Sequence, residues 1–301
     1  MSQLIYFVIS YVLTAIRCSL IWVIFLIFGA MAERTASIII EEHIIDSVFL
    51  QREVIIDFYM PVNVPDPSAM SLLLINDGQD LRTMKFEDIL DQLYEANEID
   101  PLFCVAIHCG ADRREEYATA AILDYKGRGA KSPQYHRFIL EELLPFLRKT
   151  IIVPSFKEKS FAGFSMGGLS ALDIVWSHQS EFSKVGVFSG SLWWRDKSQD
   201  AVDFDEDTDR IMHRQVREGN YAAWLSFFFE VGTLDETADR NNNGIIDSID
   251  DTASLIDELV AKGYDRNAQI KYLELNDGRH DVPTWAKAFP EFLKWGWGRL
   301  K

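Results

Sequence analysis

Ser160-Phe161-Ala162-Gly163-Phe164-Ser165-Met166-Gly167-Gly168, running on into the helical pattern Leu169 to Trp176, decides the reading of this chain. A short apolar run, a glycine-rich turn and a helical periodicity make strand, tight turn, helix. A serine at such a turn sits on strained backbone with its hydroxyl lifted above the sheet. Gly163 and Gly167 make the room, since a Cβ at either would crowd the turn or the facing strand. The helix that follows aims its N-terminal N–H groups at the serine, so an oxyanion formed there, held in part by the Met166 amide, meets positive potential. A glycine-rich turn with an exposed serine is also common as plain structure. A base and an acid downstream separate the two readings.

Outward from this turn the pattern alternates. Apolar runs read as strands at Ser37–Ile45, Val54–Pro61, Leu72–Asn76, Phe103–His108, Ser160–Gly163, Val185–Ser189, Ser226–Val231 and Ile270–Leu275. Several are continuous rather than alternating, as strands covered on both faces should be. Helical periodicity falls between them at Phe86–Ala96, Tyr135–Arg148, Leu169–Ser177, Ala253–Lys262 and Pro283–Trp295. Strand–helix alternation implies a mostly parallel sheet with right-handed crossovers and helices on both faces. The first two strands have no helix between them and should form an antiparallel edge. Ligands in such sheets sit beyond the carboxyl ends of the strands, so the chemistry is sought just after each one.

An attacking serine needs a base, and the base an orienting acid. In the α/β-hydrolase order the acid and then the histidine follow the serine. Of six histidines, only His178, His213 and His280 come after Ser165, and His280 alone follows a strand, in Asn276-Asp277-Gly278-Arg279-His280-Asp281. Asp235 is the first carboxylate past the strand Ser226–Val231, after Gly232; its neighbour Glu236 is the alternative and should point elsewhere. The second oxyanion donor should come from the loop after the third strand, Asn76-Asp77-Gly78-Gln79, with Gln79 as the amide.

These segments, with Arg113-Arg114-Glu115-Glu116-Tyr117, Phe138-Ile139-Leu140-Glu141-Glu142-Leu143, Ser189-Gly190-Ser191-Leu192-Trp193-Trp194 and Gly278-Arg279-His280-Asp281, resemble the putative esterase family of α/β-hydrolases, which includes enterochelin esterase, esterase D and feruloyl esterase domains. The resemblance spans roughly Val48 to Trp295, in order. It implies a serine carboxylic-ester hydrolase working through an acyl-enzyme on small-molecule esters, with Ser165, Asp235 and His280 as triad and no cofactor for catalysis. The alternative it admits is an acyltransferase of the same fold, which the triad does not distinguish from a hydrolase; a non-catalytic binding module on the same scaffold would not need all three residues. Trp193 and Trp194 read as an apolar or aromatic wall for the acyl group, or as core under a loop. There is no room for the N-terminal β domain of enterochelin esterase, and Arg279 is an extra residue between Gly278 and His280.

Beyond Asp235 the chain reads Asp239-Arg240-Asn241-Asn242-Asn243-Gly244-Ile245-Ile246-Asp247-Ser248-Ile249-Asp250. Counted from Asp239, oxygen side chains fall at positions 1, 3, 5, 9 and 12, glycine at 6, and the Ile245 carbonyl at 7. That is a calcium-loop pattern, so Asp239, Asn241, Asn243, Ile245, Asp247 and Asp250 are candidate ligands of a structural Ca²⁺. The plain alternative is a polar turn whose Asn and Asp cap their own backbone.

The 301 residues carry a net charge of −16, which argues against nucleic acid and anionic membrane surfaces as partners. No basic cluster stands beside the motifs, so strongly anionic esters are not expected as substrates. Three cysteines make no disulfide framework. Residues 1–32 hold one basic residue, Arg17, and no acidic one. They read as a signal peptide ending at Ala30-Met31-Ala32, as a membrane anchor, or as sequence upstream of a true start at Met31. The esterase domain would then be 33–301, periplasmic or secreted, anchored, or cytoplasmic according to which holds.

Overall fold

The computed structural model describes residues 37–299 apart from 63, 65 and 154; the readings of 1–32 lie outside the described residues. Eight strands form one sheet: β1 Ile38–Ser47, β2 Arg52–Pro61, β3 Ser71–Asn76, β4 Leu102–Ile107, β5 Lys159–Phe164, β6 Lys184–Phe188, β7 Ser226–Leu234 and β8 Ile270–Arg279. Their order is β1-β2-β4-β3-β5-β6-β7-β8. β1 pairs antiparallel with β2 and β2 antiparallel with β4, while every later pairing is parallel. The antiparallel edge follows from the tight β1–β2 connection, which leaves no chain for a crossover. This is the α/β-hydrolase arrangement.

Among the described residues the helices longer than one turn are α1 Phe86–Glu95; α2, a run of Ser132–Arg137, Phe138–Leu143 and Leu144–Thr150; α3 Met166–Ser177; α4 Ile211–Glu218; α5 Asp247–Lys262; and α6 Val282–Trp297. Two apolar cores flank the sheet. One packs α2, α3, α4 and α5 on side chains such as Phe103, Phe161 and Phe227. The other packs α1 and α6 on Leu73, Phe164, Phe188 and Phe228. Leu72, Leu73, Leu74 and Ile75 are all fully buried, as a central strand's two covered faces require; each such side chain contributes roughly 1.5–3 kcal/mol of transfer free energy.

Three helical features depart from the sequence reading. α4 was not expected, because Ile211, Met212 and Val216 are its only buried apolar residues among charged ones. α5 begins at Asp247 rather than Ala253, so the end of the calcium-like pattern forms its first turn. α2 begins at Ser132 with Pro133 in its first turn, where a missing N–H costs nothing, and widens into a π-helix over Phe138–Leu143.

Candidate functional site

Ser165 follows β5 and caps α3 with φ 55° and ψ −122°. A non-glycine residue held there is strained and needs its surroundings to keep it so. Those surroundings are specific. The Ser165 N–H donates to the Phe188 carbonyl at 2.8 Å, and its own carbonyl accepts from Gly168, Leu169 and Ser191. A Cβ on Gly163 would lie 2.3 Å from the Gly167 carbonyl oxygen, and one on Gly167 2.4 Å from Asp77 Oδ2. Both glycines are therefore fixed by close approach. The half-buried Ser165 hydroxyl lies 3.4 Å from Ser191 Oγ.

Asp235 comes just after β7 and His280 just after β8, which brings them to the same sheet edge as Ser165. His280 Nδ1 lies 3.1 Å from Asp235 Oδ2. The carboxylate is buried and the imidazole 41% exposed. Asp235 Oδ1 accepts from Ser189 Oγ at 2.7 Å, and Ser189 Oγ accepts from Trp285 Nε1 at 2.9 Å. The Trp285 ring stands edge-on to His280, 5.4 Å between centroids. With Nδ1–H donated to the carboxylate, the Nε2 lone pair is left facing outward as the basic atom. Glu236 instead neighbours the Ser248 N–H, Asp247 and Asp251 at the start of α5, and burial raises its pKa.

The other described histidines have partners elsewhere. His43 packs against Phe58 with 4.2 Å between ring centroids, His108 pairs with Asp57 at 2.9 Å, and His136 lies 3.2 Å from His178 and 3.0 Å from the Asp173 carboxylate. Buried His213 bonds the Asp251 carbonyl, and burial holds its pKa well below the ordinary value.

Gln79 lies in the short 3₁₀ turn Gly78–Asp80 after β3. Its backbone N–H and that of Met166 both belong to first turns, which provide no intrahelical acceptor for them. Its side chain is engaged separately: Oε1 accepts from the Cys109 N–H at 3.2 Å and Nε2 donates to Asp77 Oδ1 at 3.4 Å. Asp77 has φ 60° and is gripped by Arg113 at 2.6 and 2.7 Å, while the same guanidinium donates to the Phe164 carbonyl at 3.3 Å. Asn76 Nδ2 donates to the Gly167 carbonyl at 2.8 Å. Arg113 and Asn76 thus lock the β3 loop to the serine turn. Both lie in or beside quoted motifs, but spacing alone gave no sign of what they would touch.

Trp194 is fully buried and offers no surface to a ligand; Trp193 is half-buried and can. The Trp193 ring has Arg128 5.5 Å and Arg195 6.0 Å from its centroid. Arg195 adjoins the tryptophans in sequence, but Arg128, itself paired with Asp124, comes from a distant segment, so no cluster was visible.

In the 239–250 loop, Asp239 accepts from the Asn243 and Gly244 N–H groups, Asn241 Oδ1 from Asn243, and Asn243 Oδ1 from Ile245. The side-chain amides of Asn241 and Asn243 both donate to Asp250 Oδ2, at 2.9 and 2.7 Å. Asp239, Asn241, Asn243 and Asp250 are brought together. Asp247 is not: it accepts from the Arg240 N–H at 2.8 Å and lies 3.4 Å from the Arg240 guanidinium. Arg240 also pairs with Glu206 and Asp251. Among the described residues no group of three or more His, Cys, Asp or Glu is placed to hold a metal.

A family model described as putative esterase matches residues 47–295. The uncharacterized protein YbbA of Bacillus subtilis (strain 168) is 20% identical over 247 residues, 80% of this chain and 91% of that protein. Among solved structures, the enterobactin esterase FES from Shigella flexneri superposes with a TM-score of 0.66 at 19% identity, over 87% of this chain. This chain spans 60% of that enzyme's length. An IroE-like serine hydrolase from Shewanella oneidensis superposes with a TM-score of 0.64 at 16% identity, over 86% of this chain and 79% of that one. At these identities the structural likeness speaks to the fold.

Proposed function

This chain belongs to the putative esterase family of α/β-hydrolases, and from that premise we propose that it is a serine carboxylic-ester hydrolase in which Ser165, His280 and Asp235 form the triad. The observation that carries the reading is the buried Asp235 holding His280 Nδ1 at 3.1 Å on the same sheet edge as the strained Ser165 turn. Ser165 Oγ attacks the ester carbonyl while His280 Nε2 takes its proton. The N–H groups of Met166 and Gln79 hold the oxyanion of the tetrahedral intermediate. His280 then protonates the departing alcohol, leaving acyl-Ser165. Water, deprotonated by His280, repeats the sequence and frees the acid. The serine hydroxyl lies 3.4 Å from Ser191 Oγ, and the Ser165–His280 hydrogen bond is one that tightens as substrate binds.

Trp193, flanked by Arg128 and Arg195, is the surface against which the acyl group packs. A panel of p-nitrophenyl, feruloyl and acetyl-sugar esters tests both parts. Hydrolysis with a burst of the first product is expected, with feruloyl esters preferred over acetyl ones. No turnover of any ester, together with no labelling by a fluorophosphonate, would overturn the assignment.

The same reading places a structural Ca²⁺ in the loop four residues beyond Asp235, held by Asp239, Asn241, Asn243, the Ile245 carbonyl and Asp250. Asp247, expected as a ligand from its spacing, is committed to Arg240 and left out of this set. The ion's part is to set the segment between the acid and α5. A native-state ligand at a hundred times its Kd adds about 2.7 kcal/mol, on the order of 5 °C in Tm for a domain of this size. Melting in millimolar Ca²⁺ should therefore exceed melting in EDTA by several degrees, and Asp239→Ala should abolish the difference. Identical melting curves with no bound metal by elemental analysis would leave the loop a turn.

A further inference from the structure

Glu230 interrupts the apolar run Phe227-Phe228-Phe229-Glu230-Val231 of β7, five residues before Asp235. It is 1% exposed, and neither carboxyl oxygen has a hydrogen-bond partner among the described residues. Strand alternation puts it on the face of Phe228, where α6 packs Trp285, Phe289 and Phe292. The charged α6 residues Lys287 and Glu291 are on that helix's exposed side. Its register partners on β6 and β8 are Phe188 and Leu273. The titratable groups that act on it or feel it are Asp235 and the Tyr272 phenol of β8, itself bonded to Glu274 at 2.8 Å. His280 meets Asp235 through Oδ2, and no cation is among these neighbours of Glu230. The Ser189 N–H that donates to the Glu230 backbone carbonyl at 2.8 Å carries the same serine whose hydroxyl holds Asp235. Glu230 therefore lies directly behind the acid site.

A buried carboxylate with no cation beside it and no hydrogen bond to either oxygen is costly, and taking up a proton removes the cost. Building on the triad reading above, we propose that Glu230 is a second, neutral carboxyl of the acid site, protonated behind Asp235 during turnover, and that its ionisation closes the site down in alkaline solution. With one proton between them, the two carboxyls carry the single negative charge that one imidazolium neutralises in the tetrahedral intermediate. Loss of the Glu230 proton to solvent leaves two charges in a site built for one. The His280 imidazolium then holds its proton more tightly and delivers it less readily to the leaving alcohol. Burial, then the charge of Asp235, push the Glu230 carboxyl up to about 8, against a smaller opposing pull from the Ser189 N–H. The folded state thus keeps a proton that the unfolded chain loses in the ordinary glutamate range. Stability contributed by this group falls as pH rises from there to about 8 and is level beyond.

Two readouts test this. The infrared difference spectrum of wild-type protein against Glu230→Gln should show the carbonyl stretch of an uncharged carboxylic acid at neutral pH, fading with a midpoint near pH 8. The wild-type kcat/KM should fall several-fold above the same midpoint, and this alkaline limb should vanish in Glu230→Gln and in the apolar Glu230→Met, which keeps the proposal testable should either variant fold poorly. Absence of the band at neutral pH, or an alkaline limb retained in both variants, would overturn it. A band in a protein that hydrolyses no ester would fault the triad assignment, and the shutdown with it, while leaving the protonated carboxyl in place.

Discussion

Ser165→Ala is expected to fold as the wild type does and to lose ester hydrolysis by roughly 10⁴–10⁶ in kcat, as removal of a triad nucleophile does. The fold should be indifferent because the hydroxyl's one hydrogen bond among the described residues is the long 3.4 Å approach to Ser191 Oγ. The turn is held by backbone bonds, from its own N–H to the Phe188 carbonyl and from the Ser191 N–H to its carbonyl, which alanine keeps. Alanine also keeps the Cβ, and with it the strain of φ 55°. Ser165→Gly releases that strain and should be the more stable of the two variants by about 1 kcal/mol, while equally inactive. A fluorophosphonate should label the wild type at Ser165 and neither variant. Labelling of the alanine variant at the wild-type rate, or turnover surviving in it, would take the nucleophile away from Ser165.

The fold was legible because its strands announce themselves. Leu72-Leu73-Leu74-Ile75 and Phe227-Phe228-Phe229 cannot be amphipathic surface elements; they have to be covered on both faces. Once strands and helices alternate, parallel topology follows, and with it the gathering of every post-strand loop at one edge. That is why residues as far apart as Ser165, Asp235 and His280 could be placed together from sequence order alone. Element boundaries were less legible where polar residues cap or open a helix. Asp247 reads as a loop residue by composition but starts α5, and α4 hides its three apolar contacts among arginines and glutamate.

What the sequence did not disclose is what lies behind the site. Arg113 was visible as part of a motif, yet its two targets, Asp77 and the Phe164 carbonyl, sit 36 and 51 residues away and no periodicity links them. The fate of the two tryptophans was equally closed. Adjacent residues of one loop present opposite sides, and only packing decides that Trp194 enters the core while Trp193 stays at the surface. Glu230 did leave a signal: a carboxylate inside a run of phenylalanines has to be protonated, paired or functional. A strand reading passes over it because one polar residue does not break the apolar pattern.

Asp235→Asn is expected to cost about 10⁴ in kcat, and the neighbouring hydrogen bonds give the reason. Trp285 Nε1–H donates to Ser189 Oγ, so the serine hydroxyl directs its own hydrogen to Asp235 Oδ1. In the asparagine variant that hydrogen selects the carbonyl oxygen for the Oδ1 position. The amide NH₂ is then left facing His280 Nδ1, 3.1 Å from where Oδ2 stood. Two donors cannot share that contact, so the imidazole must move its proton to Nε2 and present a donor where the mechanism needs a base. Fold and substrate binding should survive, making the loss one of kcat rather than KM. Ser189→Ala in the same background frees the amide to rotate its oxygen toward His280 and should recover part of the lost rate. Glu236→Gln, whose carboxyl faces the start of α5, should cost little. Should Glu236→Gln prove the damaging change and Asp235→Asn the mild one, the orienting acid is the next residue along.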